Sequence, residues 1–135
     1  RLFQQLSKGT GSGPGSIDVL GRKIAYEDSS NDTIQFSADV IFSSPRSSSD
    51  YIELSKEFHT IFISNLNIIS EEDTARRFIA FIDECYDRNV KVIFLSSPLP
   101  DDIYNGKRLV DKFQRTLSRL TEMQSNDYLQ AGHKG

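Results

Sequence analysis

The sequence predicts an α/β fold: a βαβ parallel unit with flanking helices, plus a small antiparallel hairpin near the N-terminus. Three observations carry that expectation. Thr60-Ile61-Phe62-Ile63 and Val90-Lys91-Val92-Ile93-Phe94-Leu95 are short runs of β-branched and aromatic residues, of the kind that fill strands buried on both faces. Between them Ala75, Phe78, Ile79, Ile82, Cys85 and Tyr86 recur at three- and four-residue steps, so one stripe of a helix is apolar while Arg76, Arg77, Asp83, Glu84 and Asp87 face elsewhere. Ile17-Asp18-Val19-Leu20 and Lys23-Ile24-Ala25-Tyr26 flank Gly21-Arg22, the pattern of a hairpin closed by a tight glycine turn. A helical crossover between the two apolar strands returns the chain parallel to the first, with a right-handed sense.

From the start, Arg1-Leu2-Phe3-Gln4-Gln5-Leu6 reads as the last turns of an amphipathic segment, so residues 1–8 are expected to be the end of a truncated upstream helix. Residues 9–16 are rich in Gly and Ser. A P-loop would need Lys and Ser or Thr directly after its last glycine, to hold phosphate and magnesium, whereas Gly15 is followed by Ser16-Ile17. Pro14 also breaks the G-x-G-x-x-G spacing, and a flexible linker is the expectation. After the hairpin, Glu27 to Asp32 is polar and turn-like. Thr33-Ile34-Gln35-Phe36 alternates as a third short strand and leads into a brief helix or turn over 37–42. These small antiparallel strands are expected to lie beside the parallel unit without continuing it.

Ser43 to Ser49 reads as a loop, and Asp50 as the start of a helix with Glu53 at the capping-box position and Tyr51, Leu54, Ser55 and Phe58 on one side. In the central helix Ser70 reads as N-cap with Asp73 three residues on, and Asn89 as the left-handed stop. Pro98 and Pro100 fix the loop after the last strand, and one helical turn ends at Gly106. A final helix then buries Leu109, Phe113, Leu117 and Leu120. The α/β region is expected to span 17–129, and residues 130–135 to be a disordered tail.

A chain of 135 residues with 37% apolar and 26% charged residues fits one domain. A net charge of -3 gives no general attraction to nucleic acid or anionic membrane, and no apolar run is long enough for a transmembrane segment. The single cysteine, Cys85, cannot form an internal disulfide, and a reducing, cytoplasmic setting is expected. His59 has no cysteine or carboxylate at ligand spacing and reads as a packing residue, so no metal site is expected. Asp101, Asp102 and Glu71 to Asp73 sit at helix starts, where acids complement the dipole. No serine lies in a G-x-S-x-G turn, and no catalytic residue is assigned.

One constellation carries functional weight. Arg108, Lys112, Arg115 and Arg119 form a basic ridge on the final helix, and Arg115 and Arg119, four apart, can converge on one anion. The competing reading is a solvated helix face paired with acids. Ligands of parallel sheets gather beyond the carboxyl ends of the strands, where this chain carries Ser64, Asn65, Ser96 and Ser97. Phosphate binding requires the arginines to face those ends.

Three stretches resemble a known family. Asp50-Tyr51-Ile52-Glu53-Leu54-Ser55-Lys56-Glu57-Phe58-His59-Thr60 is similar to a D-Y-x-x-L-x-x-x-F-H-T segment of the ZapE/Afg-type AAA+ ATPases. Ala75-Arg76-Arg77-Phe78-Ile79, with Ile82-Asp83-Glu84-Cys85-Tyr86-Asp87, resembles their A-R-R-F-I-x-x-x-D-x-x-Y-D helix. Phe113 to Ser125 resembles their F-x-R-T-x-S-R-L-x-E-M-Q-S, and Tyr128-Leu129 continues it. The similarity covers the C-terminal third of that family. It implies a segment of a P-loop ATPase that couples ATP hydrolysis to remodelling a protein partner, the cell-division ring in bacteria; the alternative is a non-enzymatic α/β protein-interaction module.

The resemblance implies ATP and Mg as cofactors of the parent protein, with the Walker A loop and Walker B carboxylates upstream of this stretch. The segment alone is expected to bind neither and to be inactive. Arg115 and Arg119 fall on the family's recurrent arginines, as nucleotide-binding or subunit-interface candidates. Implied partners are the upstream ATPase core of the same chain, a second copy in a homo-oligomer and a division-ring protein, with no nucleic acid, in a cytoplasmic and septum-associated location.

Overall fold

Both apolar runs form strands, and they lie side by side and parallel in a computed structural model that describes residues 13–134. In chain order the elements are β1 (Gly15–Val19), β2 (Arg22–Tyr26), β3 (Asp28–Ser30), β4 (Thr33–Ser37), a π-helical turn (Asp39–Ser43), α1 (Ser48–Glu57), β5 (Thr60–Ser64), α2 (Glu72–Asp87), β6 (Lys91–Phe94), a 3-10 turn (Pro100–Asp102), α3 (Val110–Glu122) and α4 (Asn126–Gln130). β1 and β2 make an antiparallel hairpin, and the main sheet has the order β3-β4-β5-β6. The mixed α/β class with its N-terminal hairpin is therefore as expected. The hairpin turn places Leu20 and Gly21 at φ 52° and 82°; two successive positive angles suit the twist of the flanking strands.

Three expectations about the N-terminal half change. β4 does not stand beside the parallel unit but extends it, pairing parallel with β5 so that Phe36 lies against Ile63 and Ser37 against Ser64. The reason is the connection: α1 carries the chain back over the sheet, and a helical crossover delivers the next strand parallel. The polar stretch before β4 is not merely a turn, because β3 pairs antiparallel with β4 across Asn31, which takes φ 46°. Gly15 and Ser16 belong to β1, opposite Tyr26 and Ala25. The rest of the expected linker up to residue 12, and the expected helix over 1–8, lie outside the described residues.

The sheet grows in one direction, β4 to β5 to β6. Two right-handed crossovers in one direction put their helices on the same face, and α1 and α2 do pack together. By the strand period of two, Ile34, Phe36, Ile61, Ile63, Val92 and Phe94 face those helices. There they meet Phe42, Tyr51, Phe78 and Phe81, all essentially without exposure. Phe78 stacks on Phe94 at 6.0 Å and on Phe113 at 5.4 Å, which brings α3 against α2. The opposite face carries Thr33, Gln35, Thr60, Phe62 and Ser64.

Helix starts also differ from expectation. Ser47, not Asp50, caps α1: Asp50 is the reciprocal member of the box and accepts from the Ser47 N–H at 2.9 Å. Its buried carboxylate is paired with Arg22 at 2.5 Å. α2 begins at Glu72, with Glu71 at the cap position and no side-chain cap, so Ser70 does not serve. At the far end Asn89 takes φ 56°, the left-handed stop read from the sequence. Residues 132–134 make contacts with the body of the chain. The Lys134 N–H donates to the Arg88 carbonyl at 2.9 Å, the Asn89 amide to the Gly132 carbonyl at 3.3 Å, and His133 Nε2 lies 2.6 Å from the Ser55 carbonyl. Gly135 lies outside the described residues.

Candidate functional site

Because β4, β5 and β6 are parallel, their carboxyl ends share one edge of the sheet. Ser64 is the last residue of β5 and is buried, its hydroxyl donating to Glu27 at 2.5 Å, where the Gln35 amide also donates at 2.8 Å. Ser64 is thus occupied in holding the sheet. Asn65 is exposed and turns the chain at φ 58°, and Ser96 is exposed with its carbonyl accepting from the Leu66 N–H at 2.9 Å. The two loops are joined again where the Ile69 N–H donates to Ile103 at 2.6 Å and the Asn105 N–H to Ile69 at 3.0 Å.

Beyond these ends lies a cleft of about 230 Å³, lined among others by Asp39, Ser43, Asn67, Ser70, Glu71 and Thr74. It is placed where parallel sheets bind ligands, between the strand tips and the start of α2. Its charged lining residues, Asp39 and Glu71, are both acidic, the wrong sign for phosphate. Among the described residues no cluster of three or more His, Cys, Asp or Glu is placed to hold a metal ion. The residues present do not fit Mg–ATP by themselves.

The arginines lie elsewhere. α3 runs alongside α2 in the same sense: Arg108, just before α3, approaches Glu72 at 3.5 Å and Arg119 approaches Asp83 at 2.5 Å, so the two pairs are eleven residues apart along each segment. Both helices start near the carboxyl ends of the strands and finish at the amino ends. Arg119 therefore sits low, its guanidinium 5.0 Å from the centre of the Tyr86 ring. Tyr86 stacks on Tyr128 at 6.0 Å, and the Tyr128 hydroxyl donates to the carbonyls of Val90, at 2.7 Å, and Cys85, at 2.9 Å, just before β6 begins. A hydrogen bond to Glu122 holds the Tyr86 hydroxyl above its ordinary pKa.

The requirement set by the sequence is thus not met by Arg119. It is neutralised by Asp83, toward the end of the sheet opposite Ser64 and Ser96. Arg115 differs. One helical turn earlier, it is exposed and has no acidic partner among the described residues. The structure does not bring Arg115, Arg119 and the strand-end serines into one site. Asp83 and Tyr86, which fix Arg119, could not be found by spacing because they lie more than thirty residues from it in sequence.

His59 bonds its neighbour Thr60 at 2.6 Å, and Cys85 is fully buried on α2, where burial pushes its thiol pKa up. No helix of the described residues is long and apolar enough to cross a membrane.

Comparison with known proteins gives a consistent result. Residues 1–132 match the family described as AFG1-like ATPase. The chain is 37% identical to the Cell division protein ZapE of Escherichia coli, over 98% of this chain and 36% of ZapE. It is 30% identical to an uncharacterized protein of Schizosaccharomyces pombe, over 84% of this chain and 32% of that protein. With the Lactation elevated protein 1 homolog B of Danio rerio it shares 27% identity, over 98% of this chain and 34% of the other. The chain thus spans about a third of the length of the curated relatives it matches. No solved structure matches it.

Proposed function

Because this chain belongs to the AFG1-like ATPase family, we propose that it is the C-terminal α/β portion of a P-loop ATPase that works on a protein partner, as the name of its Escherichia coli relative associates that protein with cell division. ATP and magnesium are held mainly by residues outside this stretch, since its own cleft is acidic and its sequence has no P-loop. Its contribution is a cation. The observation that carries this reading is Arg115, exposed and without a carboxylate partner among the described residues, beside an Arg119 already committed to Asp83 and Tyr86. A free guanidinium on a rigid helix can reach a phosphoryl group bidentately, within one protein or across a subunit boundary. Arg119 then serves as the anchor that fixes the helix face from which Arg115 projects. The proposed setting is cytoplasmic, with a division-ring protein as the partner in a bacterial host and self-assembly as the context in which Arg115 meets nucleotide.

A second reading, a non-enzymatic interaction module, is favoured by the pairing of Arg119 with Asp83 and Tyr86, away from the strand tips. ATP turnover by the complete protein separates the two. Under the first reading Arg115→Ala lowers kcat by at least about tenfold with unchanged melting, since such arginines can contribute factors of about 10³ or more. Arg119→Ala instead lowers the melting temperature first. Wild-type turnover in Arg115→Ala selects the interaction module.

A further inference from the structure

The two edges of the main sheet are built differently. At one edge β3 is three residues long, Asp28-Ser29-Ser30, short and polar as protected edges are. At the other edge β6 is Lys91-Val92-Ile93-Phe94, and Leu95 follows it. It contains no proline, has no second charge after Lys91, and pairs in unbroken register with β5. Its apolar side chains point to both faces: Val92 and Phe94 toward the helices, Ile93 away from them. That is the pattern of an interior strand of a parallel sheet. Ile93 and Phe94 are only half-buried, Leu95 is 38% exposed, and Leu99 in the loop beyond is 72% exposed.

The backbone agrees. Lys91 donates to His59 at 2.8 Å and Leu95 to Ile63 at 2.8 Å, both across to β5 or its entry. By the alternation of a parallel ladder, the N–H and C=O groups of Val92 and Phe94 point out of the sheet.

We propose that the outer edge of β6, which has no strand neighbour among the described residues, receives a further strand supplied by the part of this ATPase outside the 135 residues. The proposal rests on the reading above that the chain is one portion of a larger ATPase, about a third of the relatives' length. That remainder is long enough to supply the strand. The added strand bonds to Val92 and Phe94 and covers Ile93 and Leu95, making β6 the junction between this unit and the rest of the protein.

Amide hydrogen exchange on the complete protein, resolved at single residues, tests it. Val92 and Phe94 are expected to exchange at least about 100-fold more slowly than amides of an unprotected chain, close to the rates of β5. Rates equal to those of an unprotected chain overturn the proposal. Protection that disappears on dilution assigns the edge to a second copy and overturns it equally. ATP turnover of the same sample reports separately on the larger reading: a preparation that hydrolyses ATP with an unprotected β6 edge sinks this inference alone.

Discussion

Arg119 illustrates how a single contact redirects a functional argument. Its spacing from Arg115 suggests a pair that shares an anion, yet Asp83 and the Tyr86 ring hold it in place. Because the pair is partly shielded and backed by an aromatic face, it stabilises more than an open surface ion pair. Arg119→Ala should cost about 1 to 2 kcal/mol. Asp83→Asn should remove most of the same stabilisation, so the double substitution is expected to cost little more than either single one. A urea denaturation cycle checks this, and full additivity would mean that the two residues act separately. Nothing in the local sequence announces Asp83 as a partner, since the pairing depends on how α3 lies along α2. The buried stripe of α2, by contrast, is written in its three- and four-residue steps, and Ala75, Phe78, Ile79, Ile82 and Cys85 are all buried.

Among the elements, the βαβ unit was readable because each part is local: two apolar runs, a periodic helix, and a connection that allows only the parallel arrangement. The direction of β4 was less readable. Strand character follows from Thr33 to Phe36, but its partner is chosen by α1, which begins well after the strand ends. The start of α1 was misplaced because Asp50 has the chemistry of an N-cap while Ser47 occupies the position. Its reciprocal contact makes a test: Ser47→Ala should destabilise the protein by about 1 kcal/mol, as loss of an N-cap does. Glu53→Ala, removing the acid expected in the capping box, should change stability little. A reversed order in chemical denaturation would restore the original placement of the cap. The candidate site was the least readable element, since the cleft at the strand tips combines the π-helical turn, the loop after β5 and the start of α2.

At the scale of the molecule, three buried acids of high ordinary pKa tie stability to alkaline pH. Burial raises the pKa of Tyr51, Tyr128 and Cys85 because it disfavours their anions. The folded state keeps these protons when the unfolded chain releases them, above 9.0 for Cys85 and 10.0 for the tyrosines. Their contribution is fully present below those values and is lost as pH rises past them. The melting temperature should therefore be insensitive to these groups from pH 7 to about 9 and then fall. Tyr128→Phe should be less stable at pH 7, having lost its bonds to Cys85 and Val90, but should show a shallower alkaline decline. Calorimetry across pH 7 to 11 measures both effects, and an unchanged slope would remove Tyr128 from the account.

The main sheet is laid down in the order of the chain, β3 first and β6 last. Each strand therefore docks on one already synthesised, and none has to wait for a neighbour made later. A polypeptide emerging from the ribosome can assemble this unit stepwise, closing first the tight β3–β4 turn and then two helical crossovers. Docking in the order of synthesis, with no late strand inserted between earlier ones, is the consequence of that strand order.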